Sequence, residues 1–157
     1  MTDRPRRLPL TRVVSGGQTG VDRAALDVAL AVGLPVGGWC PRGRVAEDGR
    51  IPETYPLRET ATADHAERTA LNVRDSDATL ILHQGPLTGG TAYTADVAAQ
   101  LGRPLLAVDL RDEPDAGAVQ AWLRAHAVQA LNVAGPREST APGIYEAAFT
   151  FLAEVLA

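Results

Sequence analysis

The chain has 157 residues, 45% of them hydrophobic, which is enough for one sizeable core, and no shift in composition divides it. A formal net charge of −4 excludes the broad basic field that holds duplex DNA or an anionic membrane, but leaves room for a small anion gripped by a local arginine cluster. The single cysteine, Cys40, excludes an internal disulfide framework and fits a cytoplasmic address.

Arg4, Arg6, Arg7 and Arg12 stand among prolines with no long apolar run behind them, so residues 1–11 read as a flexible basic arm rather than a signal peptide. Residues 12–157 read as a single domain. Arg12 to Ser15 starts a short buried strand, and from Val21 the spacing turns helical, with Ala25, Leu26, Ala29 and Leu30 on one face and Gly33 and Pro35 as the stop. Pro35 to Trp39 reads as a second strand weakened by two glycines. Between Cys40 and Thr60 lies a stretch of roughly 20 residues with little periodicity, a length that marks functional or disordered loops.

Ala63 to Arg74 has helical composition, Asp75 to Asp77 forms a turn, and the apolar run Ala78 to Leu82 reads as a strand buried on both faces. A helix follows from about Thr91 to Leu101, closed by Gly102 and Pro104. Leu105 to Leu110 is the next strand, Asp115 to Ala125 the next helix, Ala130 to Val133 the last strand, and Gly143 to Leu156 the terminal helix. No segment approaches the ~18 consecutive apolar residues of a membrane span. Strands alternating with helices over short connections predict an α/β fold, Rossmann-like, with three α/β/α layers around a mainly parallel sheet of about five strands. In such sheets a ligand sits beyond the carboxyl ends of the strands, at the point where the strand order reverses.

Three polar turns fall at those ends. Ser15-Gly-Gly-Gln-Thr-Gly-Val-Asp22 joins the first strand to its helix, so Gly16, Gly17 and Gly20 predict exposed N–H groups at a positive helix end, with Gln18 and Thr19 as side-chain donors. Asp22 reads either as a helix cap or as a partner for a ribose hydroxyl or a metal-bound water. Gly85-Pro-Leu-Thr-Gly-Gly-Thr91 repeats the arrangement, with Gly89, Gly90, Thr91 and, one turn deeper, Thr94. Gly135-Pro-Arg-Glu-Ser139 offers Arg137 to an anion. Arg42 and Arg44 lie in the long loop, either as a lid over an anion or as surface charges paired with their neighbours. Arg68 and Asn72 share a helix face that could look into the crevice. Asp75 and Asp77 suit turn formation better than a metal site, and His65, His83 and His126 lack metal spacing, so no metal site is expected.

Taken in order, these segments resemble the "putative molybdenum carrier" family, the circularly permuted YpsA-like branch of the SLOG superfamily. The matching residues are the Ser15–Asp27 turn and helix start, Trp39 to Arg44, Ala46 to Gly49, Ile51-Pro52, Tyr55 to Leu57, Arg68-Thr69, Asn72-Val73, Asp75 to Leu82, Gly89 to Thr91 with Thr94, and Leu131 to Ser139. The resemblance implies a Rossmann-like fold, a homo-oligomer, and a crevice for a phosphate-bearing ligand, with the molybdenum cofactor, molybdopterin, suggested by the family's name. The chain is also distantly similar to the Lonely Guy phosphoribohydrolases: Arg68, followed by Asp77, matches the position of their arginine. Where those enzymes carry a glutamate three residues past the threonine of the glycine turn, this chain has Thr94, which cannot act as a carboxylate. The expectation is therefore a binding protein for a phosphorylated small molecule, the molybdenum cofactor or a nucleotide, with no cofactor needed for catalysis and no nucleic acid or membrane partner. The ligand would meet Gly16, Gly17, Gln18, Thr19, Gly20, Asp22, Arg42, Arg44, Arg68, Asn72, Asp77, Gly89, Gly90, Thr91, Thr94 and Arg137. The alternative is a nucleotide-processing hydrolase using Asp22, Asp77 or Asp96 in place of the missing glutamate.

Overall fold

The computed structural model describes residues 7–157. Of the expected arm, residues 1–6 lie outside the described residues; Leu8 and Leu10 are half-buried against the main core. The elements in order are β1 (Arg12–Val14), α1 (Val21–Ala31), β2 (Val36–Gly37), β3 (Trp39–Cys40), β4 (Val45–Ala46), β5 (Gly49–Arg50), β6 (Arg58–Glu59), α2 (His65–Arg74), β7 (Ala78–His83), α3 (Gly89–Leu101), β8 (Leu105–Asp109), α4 (Ala116–Ala125), β9 (Ala130–Ala134) and α5 (Ile144–Leu156). Among the described residues, five strands form one sheet in the order β2-β1-β9-β7-β8, and every pairing in it is parallel. No helix among these residues is long and apolar enough to cross a membrane.

Alternation along the strands divides the layers. Leu80 and Leu82 of β7, with Leu131 and Val133 of β9, point into the core shared with α1, α4 and α5. The other face is covered by α2 and α3, which meet at Val73, Val97 and Ala98. Each Leu or Ile buried in this way contributes about 1.5–3 kcal/mol. The chain runs from β1 outward to β2, then crosses to β7 and continues the opposite way to β8. The last strand, β9, returns between β1 and β7, so the reversal of strand order lies at the carboxyl ends of β1, β9 and β7.

Four expectations about local structure need correction. The predicted strand from Pro35 to Trp39 is two short strands: at Gly38 (φ 128) the chain turns off the sheet, and a side chain there would stand 2.4 Å from the Ser15 carbonyl oxygen. The stretch from Cys40 to Thr60 is ordered, not a loop without internal structure. It forms a β4–β5 hairpin and a β3–β6 pairing over a small core of Leu26, Cys40, Ile51 and Leu57. Asp22 does not cap α1, because Gly20 occupies the N-cap position. Helix α3 also begins two residues earlier than its apolar spacing indicates, at Gly89.

Candidate functional site

The turn after β1, the turn after β7 and the β9–α5 connection converge on one crevice of about 410 Å³. Close approach between them depends on two glycines. A Cβ on Gly20 would come within 2.4 Å of the Pro136 carbonyl oxygen, and one on Gly135 within 2.2 Å of the Leu82 carbonyl oxygen. Backbone cannot yield as a flexible side chain can, so only glycine lets these three connections meet.

The first glycine turn is not the open amide cradle its composition suggests. The N–H of Gly17 donates to Ser15 Oγ at 3.2 Å, that of Gln18 to Asp22 Oδ2 at 3.3 Å, that of Thr19 to Gln18 Oε1 at 3.0 Å, and that of Val21 to the Pro136 carbonyl at 3.3 Å. Gly17 (φ 79) packs toward Ile51 and Leu57, away from the crevice. Gly16 lies beneath the Arg68 guanidinium, whose Nη1 would stand 2.0 Å from a Cβ. Thr19 and Gly20 border a different hollow.

The second turn is open. Gly89 and Gly90 are the first two residues of α3 and are exposed, and the geometry of a helix leaves their N–H groups without intrahelical acceptors. The N-cap residue Thr88 makes no side-chain capping bond, and the first turn of α3 carries no acidic residue. The helix end therefore keeps its positive partial charge. Thr91 and Thr94 line the crevice beside it, and the Thr94 hydroxyl donates to the Gly90 carbonyl at 2.8 Å.

Two arginines reach the crevice from opposite sides. Arg68 of α2 is largely buried and donates from Nη1 to Asp22 Oδ2 at 3.2 Å. Burial pushes the Asp22 carboxyl above the usual carboxylate range, and Arg68 pulls against that rise. Arg137, about half exposed, stands 3.9 Å from Glu47. His65 lies 3.4 Å from Arg68, and its imidazole is held below its ordinary pKa, first by burial and then by the Arg68 and Arg137 charges. Two arginines and one carboxylate, Asp22, line the crevice, although the chain as a whole is acidic.

Of the residues singled out by sequence, Gln18, Asp22, Arg68, Gly89, Gly90, Thr91, Thr94 and Arg137 line this crevice. Arg42, Arg44, Asn72 and Asp77 do not. Arg42 is exposed. Arg44 is buried and donates to the carbonyls of Ile51, Leu57, Pro52 and Tyr55 at 2.8 to 3.1 Å, which organises the 41–60 segment. Asn72 holds the Trp39 backbone from both sides, accepting from its N–H at 2.7 Å and donating to its carbonyl at 3.0 Å. Asp77 accepts from the N–H groups of Gln129 and Ala130 at the start of β9, the far end of the sheet. Sequence reading missed His65, Thr69, Tyr93 and Thr140, which also line the crevice. Helical spacing carried a signal for two of them, since His65 precedes Arg68 by three residues and Tyr93 follows Gly89 by four.

A second hollow, of about 610 Å³ and shallower, lies on the α5 side. There Asp27 accepts from the hydroxyls of Tyr55 and Tyr145, each at 2.5 Å, and burial, joined by the Asp27 bond, pushes the Tyr55 hydroxyl up to about 12. Asp27, Asp48, Glu138 and Glu146 outnumber Arg23 in its lining, so it repels an anion despite its size. Cys40 is buried beside the other face of the first turn, and burial pushes its thiol up, away from a reactive thiolate. Among the described residues no group of three His, Cys, Asp or Glu side chains is placed to hold a metal ion.

Comparison with known proteins bears on the family and the fold. A family model described as the circularly permutated YpsA SLOG family matches residues 13–156. Among solved structures, the chain is 46% identical to the crystal structure of a protein from Syntrophus aciditrophicus SB described as a putative molybdenum carrier protein. That match has a TM-score of 0.92 and covers 97% of this chain and 98% of the other. No curated protein matches.

Proposed function

Because the chain belongs to the circularly permutated YpsA SLOG family, we propose that it is a binding protein for a phosphorylated small molecule, a nucleotide or the molybdenum cofactor. The observation that carries this reading is the open α3 N-terminus facing Arg68 and Arg137 across one crevice at the strand carboxyl ends. Phosphate oxygens would accept from the N–H groups of Gly89 and Gly90 and from the Thr91 hydroxyl, while the arginines neutralise the charge. The first glycine turn contributes shape and Gln18 rather than its amides. Molybdopterin enters because the similar protein from Syntrophus aciditrophicus SB is described as a putative molybdenum carrier protein, and its phosphate presents the same group to the site as a nucleotide's does. Self-association belongs to the same proposal. Leu101 on α3 and Leu105 on the edge strand β8 leave apolar surface exposed that a second copy could cover.

Calorimetry with inorganic phosphate, AMP and molybdopterin tests the reading. Saturable binding of at least one, weakened by added salt, is the expected result, and no binding of any of them refutes it. The hydrolase alternative has one observation in its favour: Asp22 is the carboxylate lining the crevice among the described residues, and burial raises its pKa toward that of an acid–base group. Asp77 and Asp96 are not in the lining. Release of adenine from AMP that disappears in Asp22→Asn would favour the enzyme.

A further inference from the structure

Among the described residues, two polar atoms in the crevice wall have no partner within the chain. They belong to Gln18 and Asp22, which are buried, at 9% and 3% exposure, and which both line the crevice. Asp22 Oδ2 accepts from the Gln18 N–H at 3.3 Å and from Arg68 Nη1 at 3.2 Å, whereas Asp22 Oδ1 accepts no hydrogen bond. Gln18 Oε1 accepts from the N–H groups of Thr19 at 3.0 Å and Glu47 at 2.9 Å. Two backbone donors on one atom fix the side-chain amide, so Nε2 is its open end, with N–H groups left to donate. Neither Oδ1 nor Nε2 is sealed in the interior, and the surface that these side chains keep is in the crevice.

A carboxylate this buried with one oxygen unpaired calls for a ligand that supplies the missing donor, because an unsatisfied buried acceptor is costly. A fully ionised phosphate cannot be that donor, since it has no proton to give and meets like charge at Asp22. A hydroxyl suits both atoms: its proton goes to Oδ1 and its oxygen accepts from Nε2. Arg68 fixes where that hydroxyl lies. Because Oδ2 of the same carboxylate is bonded to Arg68, a phosphate at this arginine stands within a few bonds of Oδ1. Such a separation suits a hydroxyl on the carbon skeleton that carries the phosphate and is too short for a group at the far end of a ligand.

We propose that Asp22 Oδ1 and Gln18 Nε2 form a hydroxyl-recognition subsite beside the phosphate, so that the crevice selects phosphate esters of polyols or sugars over those of simple alcohols. The inference rests on the phosphate-binding reading above and adds to it the pair of residues that sets specificity. Asp22, whose charge by itself only weakens the hold on an anion, thereby gains a role in selecting one.

Calorimetry on the full chain with two matched pairs of probes tests this: glycerol 3-phosphate against propyl phosphate, and AMP against 2′,3′-dideoxy-AMP. A hydrogen bond to a charged partner corresponds to a roughly ten-fold to hundred-fold change in affinity, so the hydroxylated member of at least one pair should bind more tightly by that factor. In Asp22→Asn the side-chain oxygen is needed by Arg68 and Gln18, which turns the amide nitrogen toward the crevice, and the ratio within that pair should fall close to one. Loss of the negative charge should at the same time tighten the probe that lacks hydroxyls, a change that a damaged fold would not produce. Gln18→Glu keeps an acceptor for Thr19 and Glu47 but removes the Nε2 donors, and it should lower the ratio as well. Equal affinities within both pairs for the unaltered protein, or a preference that survives either substitution, overturns the hydroxyl subsite and leaves the phosphate site standing. Failure of all four probes to bind the unaltered protein overturns both.

Discussion

Replacing Gly90 with glutamate should separate folding from binding, because its effects on the two have opposite signs. A Cβ at Gly90 meets nothing within 4 Å, and its φ lies outside the left-handed region, so a longer side chain fits without strain. Glycine within a helix costs roughly 0.5–1 kcal/mol relative to alanine, and a carboxylate in the first turn contributes about 0.3–1 kcal/mol through the helix dipole. A net gain of about 0.8–2 kcal/mol is expected, equivalent to a rise in Tm of roughly 2–8 °C for a chain of this size. Binding should move the other way. Two unit charges 4 Å apart repel by about 1 kcal/mol in water and about 4 kcal/mol at an effective dielectric of 20. A phosphate at the α3 N-terminus should therefore bind roughly five-fold to a thousand-fold more weakly in Gly90→Glu, with part of the loss recovered at high salt. Thermal melting and calorimetry with AMP on the same preparations provide both numbers. Gly90→Gln, similar in size but uncharged, should lose far less. Unchanged AMP affinity in Gly90→Glu, alongside a raised Tm, would refute the placement of the anion.

Other substitutions probe the frame around the site. Gly135→Ala forces a Cβ to within 2.2 Å of the Leu82 carbonyl oxygen and should destabilise by about 1–3 kcal/mol, read as a Tm lowered by roughly 2–12 °C; an unaltered melting curve would contradict the close packing. Arg44→Lys replaces a fork that serves four carbonyls with one ammonium and should cost on the order of 2–5 kcal/mol. The effect should appear as faster tryptic cleavage after Arg50 and Arg58, and equal cleavage rates would argue against Arg44 as the organiser of that segment. Glu47 accepts from Ser139 Oγ at 2.5 Å and also from the Thr19 hydroxyl, and these bonds hold its carboxyl below the ordinary 4.5. Because its folded pKa is lowered, the stability it contributes is fully present above pH 4.5 and is lost as pH falls through the folded value. Thermal melts between pH 7 and pH 3 should therefore show a shallower acid loss in Glu47→Gln than in the unaltered chain, and parallel curves would rule out the linkage.

Local patterns carried the order of strands and helices. The apolar run Ala78 to Leu82 reads as a strand because consecutive apolar residues suit burial on both faces, and α1 reads as a helix because Ala25, Leu26 and Ala29 recur at helical spacing. The crevice end of the sheet was legible for the same reason, since glycine turns between a strand and a helix lie at strand carboxyl ends wherever the sheet is parallel. The 41–60 segment was not legible. Its order comes from a buried arginine and from Ile51 and Leu57 packing on Leu26, and neither leaves a periodic trace.

Within the site, sequence could name the chemistry but not assign it. Arg42, Arg44, Arg68 and Arg137 are the same residue type near glycine-rich turns, yet only the last two face the crevice. Arg44 differs from them because four carbonyls surround it. The two glycine turns look alike as strings, and the difference between them arises from long-range contacts: Pro136 accepts from Val21 across more than a hundred residues, and Asp22, held by Arg68 of α2, takes the Gln18 N–H. By itself, then, the sequence determined the α/β class, the order of the main-sheet strands and the helices, and the end of the sheet at which the crevice opens, since these follow from interactions between near neighbours along the chain. Only the tertiary structure decided the strand order, which amides remain free and which arginines stay available, because a hydrogen-bonding group is open or closed according to what the rest of the chain brings to it.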